Sequence, residues 1–210
     1  MKTRTMKGGS DHGHGMRCGM GMCLTISLLL LPGPVMARDT EIAGIKFSQT
    51  ADIAGRRLML NGAALRSWVT LRIYAIGLYL TECRASPAEV LALPGAKRVV
   101  LAMLRNTTAK ELTDALNEGI EDNTSRKELE QLRPRMKRLA QVMSEVGAAP
   151  SGSTIYIDYE PGKGTRFSLN GVQKGETIEG EDFYPALLRI WLGERPPETA
   201  LREALLGRCR

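Results

Sequence analysis

Two arginines and a tyrosine stand close together in an otherwise apolar stretch: Arg66, Arg72 and Tyr74, among Ala63, Ala64, Leu65, Trp68, Val69, Leu71 and Ile73. A guanidinium stays charged and offers five donors in a planar fork. In apolar surroundings it therefore needs an anion. That anion is either a carboxylate of the chain, with Asp158 and Glu160 as candidates, or an oxyanion of a ligand. A surface arginine or a structural ion pair is the plainer alternative. A carboxylate bonded to Arg66 in a packed interior would sink any ligand-binding or catalytic reading of it.

The elements around these residues follow from period and turn signals. Val69, Leu71, Ile73 and Ala75 alternate with Thr70, Arg72, Tyr74 and Ile76, the pattern of a strand with one face on a core. A short strand from Arg57 to Leu60 precedes it and turns at Asn61-Gly62, which leaves Arg66 in the link. Gly77 marks a bulge or a close backbone approach before Leu78, Tyr79 and Leu80. An extended piece from Glu41 runs ahead of all this through Ile42, Ile45 and Phe47.

Behind it, Ser86-Pro87-Ala88-Glu89 opens a short helix, and Lys97 to Leu104, with its apolar run Val99 to Leu104, reads as a buried strand. Thr108 and Glu111 form a capping box for a helix with Leu112, Ala115, Leu116, Gly119 and Ile120 on one face. Ser125 and Glu128 form another. The helix it opens carries Leu129, Leu132, Met136, Leu139, Met143 and Val146, with Pro134 as a kink site and its basic residues as a solvated face. Then the period falls to two at Ile155, Ile157 and Tyr159, and Asn170-Gly171 predicts a hairpin. Asp182 caps the last major helix, whose apolar face is Phe183, Ala186, Leu187, Ile190 and Trp191 and whose end is Gly193. Pro197 starts a final helix with Leu201, Ala204 and Leu205, ending at Gly207. This order is that of an α+β protein with an antiparallel sheet packed with helices.

Composition narrows the chemistry. With 210 residues, 43% hydrophobic and 25% charged, the chain suits one globular domain with a core. A basic start, the apolar run Cys23 to Leu31, the breaker Pro32-Gly33-Pro34 and the small residues before Arg38 predict a signal peptide in residues 1–37, cut after about Ala37. Residues 38–210 are then a single domain, periplasmic or secreted, that needs no membrane contact once processed. Four of the 29 Lys and Arg and one of the 23 Asp and Glu belong to the leader, so the remainder carries +3 and no nucleic-acid signature. Both histidines, His12 and His14, leave with it. A domain without histidine has no His base and no His metal ligand. No cofactor, metal site or nucleotide motif is read. Cys83 and Cys209 remain, and sequence leaves open whether they pair.

Leu60 to Arg66, followed by Ile73-Tyr-Ala-Ile-Gly-Leu-Tyr79, resembles the chalcone isomerase-like family. Asp182-Phe183 and Ile190-Trp191-Leu192-Gly193 resemble the close of its bacterial exported branch, and the likeness spans roughly Ile42 to Gly207. The resemblance implies an open-faced β-sandwich with helices on the sheet. It also implies that Arg66 meets an oxyanion. In the isomerases a hydroxyl network assists the arginine. Here Tyr74 and Ile190 stand where that network has threonines, and Asn117 supplies its asparagine only with a shifted alignment. The non-catalytic branch binds fatty acids, which implies Arg66 with Tyr74 or Tyr79 on the carboxylate. The chain would lie in a cleft lined by Leu112, Leu116, Asn117, Phe183, Leu187, Ile190 and Trp191, which are equally well plain core. Three readings stand: a binder of a small apolar anion such as a fatty acid, an isomerase acting through Arg66 and Tyr74, and a structural or partner-binding module with a filled core.

Overall fold

The period-two segments pair in sequence order. A computed structural model describes residues 39–207; the segment expected to be a signal peptide and Cys209 lie outside them. Strands β3 (Thr50–Ile53), β4 (Arg56–Trp68), β5 (Leu71–Leu80), β6 (Lys97–Met103), β7 (Thr154–Glu160), β8 (Gly164–Leu169) and β9 (Val172–Ile178) form one seven-stranded antiparallel sheet. Strands β1 (Thr40–Ile42) and β2 (Ile45–Phe47) form a separate hairpin, where a single extended piece is predicted. The helices are α1 (Pro87–Ala92), α2 (Ala109–Asp122), α3 (Arg126–Val146), α4 (Phe183–Leu192) and α5 (Thr199–Leu205).

Strand parity divides the interior. Ile76, Leu78 and Leu80 of β5 and Val99, Leu101 and Met103 of β6 pack with the helices in the larger core. Ala75 and Tyr79 of β5 and Val100 and Ala102 of β6 face the other way, into a smaller cluster with Phe47, Ile53 and Leu58. Helix α4 is buried nearly all round, as a helix between a sheet and other helices must be. Gly77 is a close approach and not a bulge: a Cβ there would sit 2.7 Å from the Phe47 ring.

The capping boxes at Ser86/Glu89 and Thr108/Glu111 form in full. Two other caps differ. Ser125 accepts from the Glu128 amide, but the Glu128 carboxylate pairs with Arg189 of α4. Asp182 makes no cap bond, because its carboxylate is drawn 3.0 Å from Arg135 of α3. Helix α3 runs through Pro134 without a break in assignment, and Ala115 of α2 is exposed.

The larger correction concerns Asn61-Gly62. It is no turn: β4 passes straight through it, with a bulge between Leu60 and Gly62. The chain turns instead at Val69-Thr70, so Val69 belongs to a loop and not to a strand face. Asn61 is buried and its amide donates to the carbonyls of Arg84 at 3.0 Å and Leu205 at 2.8 Å, while its Oδ1 accepts from the Arg84 amide at 2.8 Å. Satisfying three backbone groups of two other segments outweighs the local preference of Asn-Gly for a hairpin. Cys83 is disulfide-bonded, to a partner outside the described residues. Gly207 runs beside it, since a Cβ there would lie 3.4 Å from Cys83 Sγ.

Candidate functional site

The turn at Val69-Thr70 brings Arg66 of β4 directly opposite Tyr74 of β5. Directly paired residues share a sheet face, and Tyr74 packs on the larger core, so both side chains address the helix layer. Arg66 Nη1 donates to Glu198 Oε1 at 2.6 Å, and the Ser67 backbone amide donates to the same oxygen at 3.1 Å. Arg66 Nη1 also donates to the Ser67 carbonyl. Glu198 stands at the N-cap position of α5 but makes no side-chain bond to its own helix. Its carboxylate is turned wholly toward β4.

The chain therefore supplies the carboxylate, but neither Asp158 nor Glu160 supplies it. Both lie on the opposite face of the sheet. Asp158 holds Arg98 through bonds of 2.6 and 2.8 Å and Arg166 through one of 3.2 Å, and Glu160 pairs with Lys163 and Arg166. Nor is the Arg66 pair in a packed interior: the two side chains keep 21% and 36% of their surface in water. It is a rim contact.

Tyr74 lies beneath the rim. Its hydroxyl accepts from Trp191 Nε1 at 3.0 Å. Burial pushes its pKa up, and the Trp191 bond and the nearby Arg66 charge only partly offset that. Near neutrality it is a phenol, a hydrogen-bond donor and not a base. Among the described residues no acceptor takes its own proton. Arg72 is exposed and has no ion-pair partner among the described residues.

Tyr79 does not join this site. It stands five residues from Tyr74, so strand alternation puts it on the other face, in the smaller core, where its hydroxyl donates to the Ser48 carbonyl at 3.0 Å. Burial pushes its pKa up to about 12. Leu112, Leu116, Phe183, Leu187, Ile190 and Trp191 do share one region, and all six are buried members of the larger core. Asn117 points elsewhere, into a depression of about 520 Å³ between α2 and α3, and its Oδ1 is buried without a partner among the described residues. Five depressions are described on the molecule, and neither Arg66 nor Tyr74 lines any of them.

Sequence reasoning missed two residues. Glu198 was invisible because the contact joins positions 132 apart. Lys97 was absorbed into an apolar strand, yet it is a buried lysine with no carboxylate partner among the described residues. Its Nζ donates to the Leu93 carbonyl at the end of α1 and lies 5.4 Å from the Tyr159 ring centre. It borders a depression of about 240 Å³ with Leu91, Tyr184 and Leu188. Burial lowers its pKa from 10.5 to about 8. The folded state then binds fewer protons than the unfolded chain between those values, so stability from this group rises with pH across that window. Lys97→Met is expected to raise Tm near neutrality by about 2–4 °C, equivalent to about 1 kcal/mol. The gain should shrink toward pH 10 in thermal melts. A Tm lowered equally at every pH would mean that the ammonium is fully satisfied where it lies.

The order of strands and helices, the two-sided sheet and the arginine opposite Tyr74 define a class of α+β protein with one antiparallel sheet and its helices on one face. The chalcone isomerase-like family model matches residues 39–207, and the chain belongs to that family. Among solved structures the chain is similar to a fatty-acid binding protein of Arabidopsis thaliana, with a TM-score of 0.61 and 15% identity, covering 80% of this chain and 96% of that one. No curated protein matches.

Proposed function

We propose that this protein binds a small apolar carboxylate, such as a fatty acid, after export and removal of its leader. Arg66 takes the carboxylate and Tyr74 donates the second hydrogen bond. The rim contact carries the reading: Arg66 already holds a carboxylate, with the Ser67 amide converging on the same oxygen. That carboxylate hangs from the residue just before a seven-residue helix, where it serves no cap. A ligand carboxylate that displaces Glu198 finds the Arg66 guanidinium and the Ser67 amide already converging. The fold shared with a fatty-acid binding protein supports the same class of ligand. Movement of α5 and of the side chains around Trp191 has to admit the acyl chain, and each methylene buried contributes about 0.8 kcal/mol.

A module with a filled core is the second reading, and one observation favours it. The six apolar residues expected to line a cleft are packed against one another. The isomerase reading has less support, because Tyr74 is held protonated and Ile190 offers no hydroxyl.

Native mass spectrometry of the processed protein, beside Arg66→Ala, separates these readings. A co-purifying acyl anion that the variant loses is the expected result. An unliganded mass in both, persisting after incubation with a long-chain fatty acid, would leave the filled core.

A further inference from the structure

Five large apolar side chains are exposed among the described residues, and three fall within four positions at the β4–β5 tip: Trp68 at 68%, Val69 at 89% and Leu71 at 47%. The tip is a two-residue loop, with Trp68 paired to Leu71. Val69 holds φ at 56°, a left-handed backbone that a β-branched residue adopts only at a cost. Gly or Asn would relieve that strain and remove apolar surface from water. Folding alone therefore does not explain this tip.

Charge points the same way. Arg56 and Arg57 lie at the far end of β4, and Arg66 is paired with Glu198, so the charge at the tip itself is that of Arg72. Arg72 is exposed beside Leu71 with no carboxylate partner among the described residues. A tryptophan flanked by aliphatic side chains and a free guanidinium matches the bilayer interface, where indole rings sit at headgroup level and basic residues meet anionic lipid.

We infer that the β4–β5 tip, through Trp68, Val69, Leu71 and Arg72, docks on the surface of an anionic lipid bilayer. No helix among the described residues is long and apolar enough to cross a membrane, so the contact is peripheral. The docked tip would hold the Arg66–Glu198 rim beside the lipid, because Ser67, which helps hold Glu198, adjoins Trp68. That last link rests on the acyl-anion reading; the docking itself does not.

The chain contains two tryptophans, and Trp191 is 2% exposed, so a change of emission on adding vesicles reports on Trp68 over a constant Trp191 signal. The test mixes the processed protein with unilamellar vesicles of phosphatidylcholine and phosphatidylglycerol, and with phosphatidylcholine vesicles alone. Co-sedimentation and a blue shift of the emission are expected with the anionic vesicles. Partitioning should fall about tenfold or more in Trp68→Ser combined with Val69→Ser. Arg72→Gln should weaken binding to anionic vesicles only. Unchanged Trp191 emission checks the fold in the double variant. Arg66→Ala should still sediment, which separates failure of the docking from failure of the acyl-anion reading. Wild type that stays in the supernatant would overturn the inference. So would undiminished partitioning of the double variant, or a concentration-dependent dimer that the double variant abolishes.

Discussion

Replacing Arg66 with alanine is expected to weaken binding of a long-chain fatty acid by about 10- to 100-fold, the value of a charge-assisted hydrogen bond of roughly 1.5–3 kcal/mol. Glu198→Gln should do the opposite. In the resting protein the guanidinium is occupied by Glu198 at 2.6 Å, so a ligand must first displace an ionised carboxylate. A neutral amide of the same shape competes less well, and affinity should rise by about fivefold to tenfold. Stability should hardly follow. The pair is partly exposed and contributes at most about 1 kcal/mol, so Tm should move by only a few degrees in either variant. Displacement of a fluorescent acyl probe measures the affinities. Equal affinity in wild type, Arg66→Ala and Glu198→Gln would place any acyl site away from this rim. The combined variant should bind no better than Arg66→Ala, because Glu198 acts only through the arginine.

Gly62→Ala is expected to destabilise the fold by on the order of 3 kcal/mol, at the upper end of overpacking costs, and to lower Tm by roughly 10 °C. An alanine Cβ there would lie 2.2 Å from the Ala204 carbonyl oxygen and 2.7 Å from that of Leu205. These are backbone atoms of α5, and no side-chain rotation relieves them. The helix must shift, and Asn61 would then lose its 2.8 Å bond to the Leu205 carbonyl. Since Glu198 begins the same helix, the shift should also loosen the Arg66 contact. Chemical denaturation with the ligand assay alongside reads both effects. A variant as stable as wild type would mean that α5 rests on β4 more loosely than these distances require.

The long helices and most of the sheet were legible because their causes are local. The capping boxes at Ser86 and Thr108 join residues three apart, and Asn170-Gly171 turns its hairpin with both residues at positive φ. The failures have the opposite character. Asn61-Gly62 carries the same local signal as Asn170-Gly171 yet lies inside a strand, because Arg84 and Leu205 use its side chain and α5 needs the space above the glycine. Asp182 has the chemistry of a cap, but Arg135 reaches it from another helix.

The candidate site divides along the same line. The residue types and order determined by themselves the family, the antiparallel α+β architecture, the absence of histidine after His14 and the candidacy of Arg66 and Tyr74. Tyr79 stayed open beside Tyr74, because a bulge at Gly77 would have reversed the parity, and the regular pairing through Gly77 put the two on opposite faces. Only the tertiary structure decided that Glu198 occupies Arg66, that Tyr74 leans on Trp191, and that Asp158 belongs to Arg98 on the far face. Each of these contacts spans between 60 and 132 positions. Sequence specifies a charge and its need for a partner. Which of several carboxylates meets that need depends on where the packed sheet and helices bring the chain back upon itself.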